Sequence, residues 1–355
     1  MEIVYSTNEL QTYVETAVKV SRNHPILIDK YLTNAVEIDV DVISDGTDVY
    51  IGGIMEHVEY AGVHSGDATM VLPPCTLGKI YIDKVLDISK KVALALNIKG
   101  CLNLQLAAKG YEIYMIEANP RASRTVPFIS KATGVPLAKL GTQIMLGKTL
   151  KELGIKDEYR IIDHYAIKES VFPFLKLEGI DSILTPEMKS TGEVMGIDED
   201  FDVACYKAFK ACGDKIPTEG GVFITVADSD KEEIVDSAEK LQEMGFHIYS
   251  TKGTASVLRS HGIECETAFR VSDNQSGMTV MELMRAGKIN MIINTPTQRS
   301  GPIRDGHAIR RLAVELEIPI YTTINGANAA VMAIRVAKEK DVGVRSMREY
   351  HNLVE

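Results

Sequence analysis

The chain has 355 residues, 45% of them hydrophobic and 25% charged, with a formal net charge of −10. That length can bury two or three cores, and the acidic balance argues against nucleic acid or an anionic membrane as a bulk partner. Five cysteines without a C-x-x-C pair fit reduced thiols. No run of 18 apolar residues marks a membrane span, and residues 1–15 lack the basic start and apolar core of a signal peptide. The expectation is a cytoplasmic protein.

Residues 26–73 read as β-rich: 26–28, 36–42 and 49–55 alternate or run apolar, with Asp45-Gly46 as a hairpin signal between the last two. Residues 77–98 carry Leu77, Ile80, Ile82, Val85, Leu86, Ile88, Val92, Ala93 and Leu96 at helical spacing. Two strands follow, 102–106 and 111–116, and then a helix over 133–146 interrupted near Gly134 and Pro136. Around 173–220 the pattern loosens under Pro173, Pro186, Pro217 and several glycines. The expected organisation is an α+β unit over 1–150, a connecting segment over 151–216 and a doubly wound parallel sheet over 217–355. The last rests on strand candidates 221–227, 246–250, 265–270, 289–294 and 318–321. Helix candidates 230–244, 253–261, 278–287, 304–316 and 324–338 alternate with them.

The most informative chemistry lies at 111–124. Along a strand, residues i and i+2 point the same way, so Glu117 and Asn119 present two oxygen donors side by side. Arg121 and Arg124 follow in the irregular segment that Pro120 begins. Hard oxygen donors beside guanidinium groups suit a Mg²⁺-bound polyphosphate with charge developing on a transferred phosphoryl group. A three-residue loop at Lys109-Gly110-Tyr111 would put Gln105 and Glu117 on one face, with Asn103 opposite Glu117; a two-residue turn at Lys109-Gly110 would separate them. The three-residue loop is expected, gathering Gln105, Glu117 and Asn119 around one metal. In the last unit, Thr251-Lys252-Gly253-Thr254, Asn294-Thr295-Pro296-Thr297 and Thr322-Thr323-Ile324-Asn325 lie beyond strand ends. There they form either an anion site or ordinary helix caps; three on one edge favour the site.

Four blocks carry a family resemblance: AVEIDVD (35–41), IGGIMEHVEYAGVHSGD (51–67), IEANPRASRTVPFISKATGVPLAK (116–139) and PEMKSTGEVMG (186–196). Through them the chain resembles, almost end to end, the C-terminal part of the carbamoyl-phosphate synthase large-subunit family. The resemblance implies part of an ATP-grasp domain that phosphorylates carbamate, followed by an effector domain related to methylglyoxal synthase. It implies ATP and Mg²⁺ (or Mn²⁺), with K⁺ as a further cation, and the metal ligands Gln105, Glu117 and Asn119. Arg121 and Arg124 would face the phosphates. Lys30 and Leu32 would hold adenine through their backbone, Glu37 the ribose, and Gly62, Val63, His64 and Ser65 would touch nucleotide and carbamate.

Glu59, Asp67 and Glu169 match acidic positions that bind ornithine in some relatives. Thr251, Lys252, Thr254, Asn294 and Thr295 match the region where UMP or IMP binds; Pro296 and Lys252 depart from the common pattern there, leaving the effector open. Arg304-Asp305-Gly306-His307 stands where the related lyase needs a Gly-Asp-Gln-Gln setting, so methylglyoxal synthesis is not expected. Relatives carry, ahead of the equivalent of residues 1–5, an arginine, a glycine-rich loop and an N-terminal subdomain. The expectation is a truncated frame or one half of a split subunit, weakly active by itself. Its partners would be a glutaminase small subunit and a chain bearing the other large-subunit portion.

Overall fold

The computed structural model describes residues 3–4, 6–20, 26–176, 180–269, 277–296 and 300–351. After an opening helix α1 (Thr7–Val20), the strands β1 (Val36–Asp45) and β2 (Val49–Tyr60) form a long hairpin. Its turn is held by the Asp45 carboxylate, which accepts from the Thr47 and Asp48 amides at 2.9 and 2.7 Å. Residues 26–30, expected to include a strand, run without regular structure.

There follow β3 (Met70–Leu72), α2 (Lys79–Ala95), β4 (Lys99–Lys109) and β5 (Glu112–Asn119). The alternation of β1 and β4 sends Ile38, Val40, Val42, Leu102, Leu104 and Leu106 to one face, where Val85 and Ala93 of α2 close the core. The other face is covered by α3 (Thr125–Thr133) and α4 (Leu137–Met145) through Ile129, Ala132, Leu137 and Leu140. The helix expected over 133–146 forms as α4, starting only after Pro136; α3, which was not expected, precedes it and ends at Gly134, left-handed at φ +75.

The loop expected between β4 and β5 differs as well. Lys109 pairs with Glu112, so the turn is the two residues Gly110-Tyr111, with Gly110 at φ +59. Alone, this turn would put Gln105 and Glu117 on opposite faces. A bulge at Ile116 shifts the register by one, and Gln105 then faces Glu117 while Asn103 faces Asn119 rather than Glu117.

The segment expected to be a connector supplies structure to the same sheet. β6 (Tyr165–Val171) and β7 (Gly192–Asp198) extend it to the order β5-β4-β1-β2-β3-β6-β7, and α5 (Phe201–Cys212) packs on both. Lys168, Glu169 and Ser170 are all buried in β6, and this polar run hides the strand from a hydrophobic reading. Asp200 caps α5, accepting from the Asp202 and Val203 amides at 2.9 and 3.2 Å, and it also pairs with Lys340. Asp200→Ala is expected to cost about 1 kcal/mol of stability, measurable as a lowered urea midpoint with an unchanged slope.

The second unit has five parallel strands: β8 (Gly221–Thr225), β9 (His247–Ser250), β10 (Glu266–Thr267), β11 (Met291–Asn294) and β12 (Ile320–Tyr321). Their order is β10-β9-β8-β11-β12. The helices α6 (Val235–Glu243), α7 (Lys252–Ser260), α8 (Val280–Arg285), α9 (Ser300–Glu315) and α10 (Ile324–Glu339) alternate with them, and α11 (Met347–Tyr350) closes the described chain. The topological switch falls between β8 and β11. The two units share a core: Ala329 and Ala333 of α10 pack with Val71, Ile167, Ala204 and Ala208. Asn325 donates to the Val58 carbonyl at 2.7 Å across the same boundary. No described helix is long and apolar enough to cross a membrane.

Candidate functional site

The α3 side of the first sheet carries a buried row of acids. Glu37, Asp39 and Asp41 alternate along β1 and are all buried. Burial pushes the Glu37 carboxyl above its usual range and the Asp41 carboxyl to about 6. The Asn103 amide donates to Asp39 and Asp41 at 2.9 and 3.0 Å, and Ser123 and Thr125 donate to Asp41 at 2.8 and 2.6 Å. The Ser123 and Thr125 bonds tie the start of α3, and with it Arg124, to the sheet. His57 stands 2.9 Å from Asp39, and its Nδ1, 4.0 Å from Glu37, has no hydrogen-bond partner. Burial opposes charge on His57, but the bond to Asp39 and the charge of Glu37 raise its pKa. Sequence reasoning missed Asp39, Asp41, Asn103 and His57. The signal was the i, i+2, i+4 run of acids along the strand expected over 36–42.

At the open end of this row, Asn119 Nδ2 donates to Glu117 Oε1 at 2.7 Å, leaving Asn119 Oδ1 available, and Gln105 lies directly opposite Glu117. Among the described residues no three His, Cys, Asp or Glu side chains gather into a metal-binding group. One carboxylate with two amide oxygens is the kind of hard, sparse donor set that Mg²⁺ accepts when phosphate oxygens complete its shell. Arg121 and Arg124 follow, Arg124 at the N-cap of α3 with its guanidinium against Met188.

The segment holding Lys30 and Leu32 is drawn to this site by a residue not anticipated. Tyr31 donates to the Ala61 carbonyl at 2.9 Å and packs on Gly62, where a Cβ would come within 2.7 Å of its hydroxyl. The Gly62 amide in turn bonds Glu37. His64, Ser65 and Gly66 form a tight turn in which the Gly66 amide donates to His64 Nδ1 at 2.9 Å. Val63 lies beside this turn, bridged to Ala61. Tyr31, Gly62 and Glu37 are thus linked in series, and Gln105, Glu117 and Asn119 lie on the same sheet face as Glu37.

A second site lies between the units. A cavity of about 410 Å³ is lined by Glu59, Thr69, Glu169, Ser182, Asp214 and Thr323, among others. Burial, reinforced by the charge of Glu59, pushes the Glu169 carboxyl up to about 8, and burial alone pushes Asp214 to about 6. Ser182 Oγ is buried without a partner. Asp67 is not on this wall: its two oxygens accept from the Lys189 and Ser190 amides at 2.8 and 2.9 Å. Ser182 and Asp214 carried no sequence signal, and Thr323 was read only as part of an anion site or helix cap, because the cavity exists only once the units meet.

A third cluster sits at the switch between β8 and β11. The hydroxyls of Thr225 and Thr251 lie 3.1 Å apart, Thr295 accepts from the Ala227 amide at 2.8 Å, and Thr254 accepts from the Val226 amide at 3.4 Å. Asn294 Nδ2 donates to the Thr225 carbonyl at 3.5 Å. Thr251 precedes α7 without capping it, whereas Thr323 does cap α10, accepting from the Gly326 amide. Of the three loops, the first leaves its helix without a side-chain cap, with Thr251 and Thr254 buried, and the third is an ordinary cap. Lys252 is exposed at the start of α7, and Lys231, beside Gly253, pairs with Asp228 at 2.7 Å. Thr297 lies outside the described residues.

Two family descriptions match the sequence. "Carbamoyl-phosphate synthase L chain, ATP binding domain" matches residues 1–153, and "MGS-like domain" matches 233–322. The chain is 53% identical, over 98% of its length, to the carbamoyl phosphate synthase large chain, C-terminal section, of Methanocaldococcus jannaschii, and spans 58% of that protein. It is 49% identical to the large chain of Archaeoglobus fulgidus over 99% of its own length but 32% of the relative's. Against the large chain of Methanosarcina barkeri it is 48% identical over its whole length, spanning 88% of that protein. The antiparallel unit is thus of the ATP-grasp type and the parallel unit an MGS-like domain. The chain belongs to the carbamoyl phosphate synthase large-chain family.

Proposed function

We propose that this chain is the carbamate-phosphorylating and regulatory section of a carbamoyl phosphate synthase, transferring the γ-phosphoryl group of ATP to carbamate. The observation that carries the reading is the register of β4 and β5, which sets Gln105 opposite Glu117, with Asn119 alongside and two arginines following. In the reaction a carbamate oxygen attacks the γ-phosphorus, the bond to the ADP oxygen breaks, and carbamoyl phosphate and ADP leave. Gln105, Glu117 and Asn119 would hold Mg²⁺ or Mn²⁺, which when bound offsets charge on the polyphosphate. Arg121 and Arg124 stabilise the equatorial oxygens, and Arg124 is fixed there through the Ser123–Asp41–Thr125 bonds. Lys30 and Leu32 hold the base, Glu37 the ribose, and 62–65 the carbamate. K⁺ would be a further cation of the assembled enzyme.

Upstream, glutamine-derived ammonia and bicarbonate supply the carbamate, through a glutaminase small subunit and a chain carrying the other large-chain portion. Leu27, Ile28, Tyr111, Met115 and Ile116 are exposed large apolar residues, and β5 is a sheet edge; such a surface suits a protein partner. The test is ATP formation from carbamoyl phosphate and MgADP, with this chain alone and with those partners added. Activity in the mixture supports the reading. A folded chain that stays inactive in the mixture refutes it and leaves a regulatory nucleotide-binding module, which calorimetry with UMP and IMP would detect. The β8/β11 cluster supports a nucleotide effector there, and the acidic inter-unit cavity supports a cationic amino acid of the ornithine type.

A further inference from the structure

Arg310 of α9 is buried at 4% exposure, and one guanidinium serves both units. Its Nη1 donates to Asn294 Oδ1 at the switch point. Its Nε and Nη2 grip Asp181 of the first unit, each at 2.6 Å. Asp181 begins a segment that ends at the carbamate-side turn. The Lys189 ammonium clamps the Asp181 and Ile183 carbonyls. The Thr185 carbonyl accepts from the His64 amide at 2.9 Å, and Met188 lies against Arg124. Lys189 and Ser190 give their amides to Asp67, and Ser190 Oγ donates to the Gly66 carbonyl at 2.9 Å. Residues 181–190 thus touch the nucleotide cluster at one end and 64–67 with Arg124 at the other.

We propose that the Arg310–Asp181 pair is the link by which occupancy of the β8/β11 cluster repositions segment 181–190 and, through it, the 62–67 turn. Both are positioning residues: neither touches the reacting atoms. This rests on the nucleotide-effector reading of that cluster. A ligand that takes up Asn294 Oδ1 deprives Arg310 of one of its three acceptor contacts. A buried guanidinium does not leave a donor unpaired without cost, so its grip on Asp181 must change. Only the bidentate fork transmits orientation as well as charge, which separates this role from a plain ion pair.

The experiment pairs calorimetry with amide hydrogen exchange on the full chain, using UMP and IMP as probes, for wild type, Asp181→Asn and Arg310→Lys. In wild type, nucleotide binding is expected to change exchange at 62–68 and 183–190 by roughly fivefold or more, the lower end of ordinary coupling. Asp181→Asn should still bind nucleotide but lose that change; Arg310→Lys keeps the charge, removes the fork and should lose it too. Exchange at 62–68 that still responds as in wild type in both variants overturns the link and leaves the effector reading standing. Wild-type binding with no response at 62–68 does the same. A wild-type chain that takes up neither nucleotide refutes the effector reading, and the link falls with it. If Asp181→Asn does not fold, Arg310→Lys decides.

Discussion

Replacing Glu117 with glutamine is expected to lower ATP formation from carbamoyl phosphate and MgADP, in the assembled enzyme, by about 10²–10³-fold, the usual cost of removing one preorganised electrostatic group. The side chain is exposed and its described hydrogen bond comes from Asn119, so glutamine leaves the fold intact and thermal stability should stay within about 0.5 kcal/mol. What it removes is the single carboxylate of the Gln105–Glu117–Asn119 set. A divalent cation would then be held by amide oxygens and the nucleotide alone, so the variant should need more Mg²⁺ and recover only in part when it is raised. The mechanism ties the loss to the chemical step, because charge on the transferred group peaks in the transition state. Full activity at ordinary Mg²⁺ would show that Glu117 is a solvated strand end and that the metal is held elsewhere.

The Glu117 site also shows where sequence reasoning succeeds and where it stops. The i, i+2 spacing of Glu117 and Asn119 is a property of any strand and needs no structure. Bringing Gln105 to the same face depends on register, and register here comes from a bulge at Ile116, which no turn residue announces. The parallel unit was legible because its buried strands are short apolar runs separated by amphipathic helices. β6 was not, because three buried polar residues, Lys168, Glu169 and Ser170, interrupt it, each satisfied by partners distant in sequence. The acids of β1 could be counted from the sequence, but their burial could not. It follows from α3 and the 62–67 turn closing over that face, a tertiary fact that local periodicity does not hold.

Glu169→Gln is expected to remove one large contribution to the pH dependence of stability. The Glu169 carboxyl is pushed up to about 8 by burial and by the charge of Glu59; the Thr69 bond and Lys168 act the other way. Thr69 Oγ1 lies 2.7 Å from Glu169 and 3.2 Å from Glu59, and one hydroxyl proton cannot serve two carboxylates. A proton on Glu169 completes that chain. The folded chain therefore keeps a proton that the unfolded chain, titrating near the ordinary 4.5, has released. Stability from this group declines as pH rises from about 4.5 to about 8 and levels off above. At about 1.4 kcal/mol per unit, the loss by about pH 8.5 is of the order of a few kcal/mol. Glutamine does not titrate, so the variant should match wild type near pH 5 and exceed it near pH 8.5 in urea unfolding. The same difference at both pH values would place the Glu169 carboxyl in an ordinary ionised state. A cationic ligand in the cavity should reverse the balance by favouring the carboxylate. Calorimetry of ornithine in two buffers of different ionisation enthalpy, near pH 7, should then register a larger proton release from wild type than from the variant, in which only Glu59 and Asp214 are left to release one.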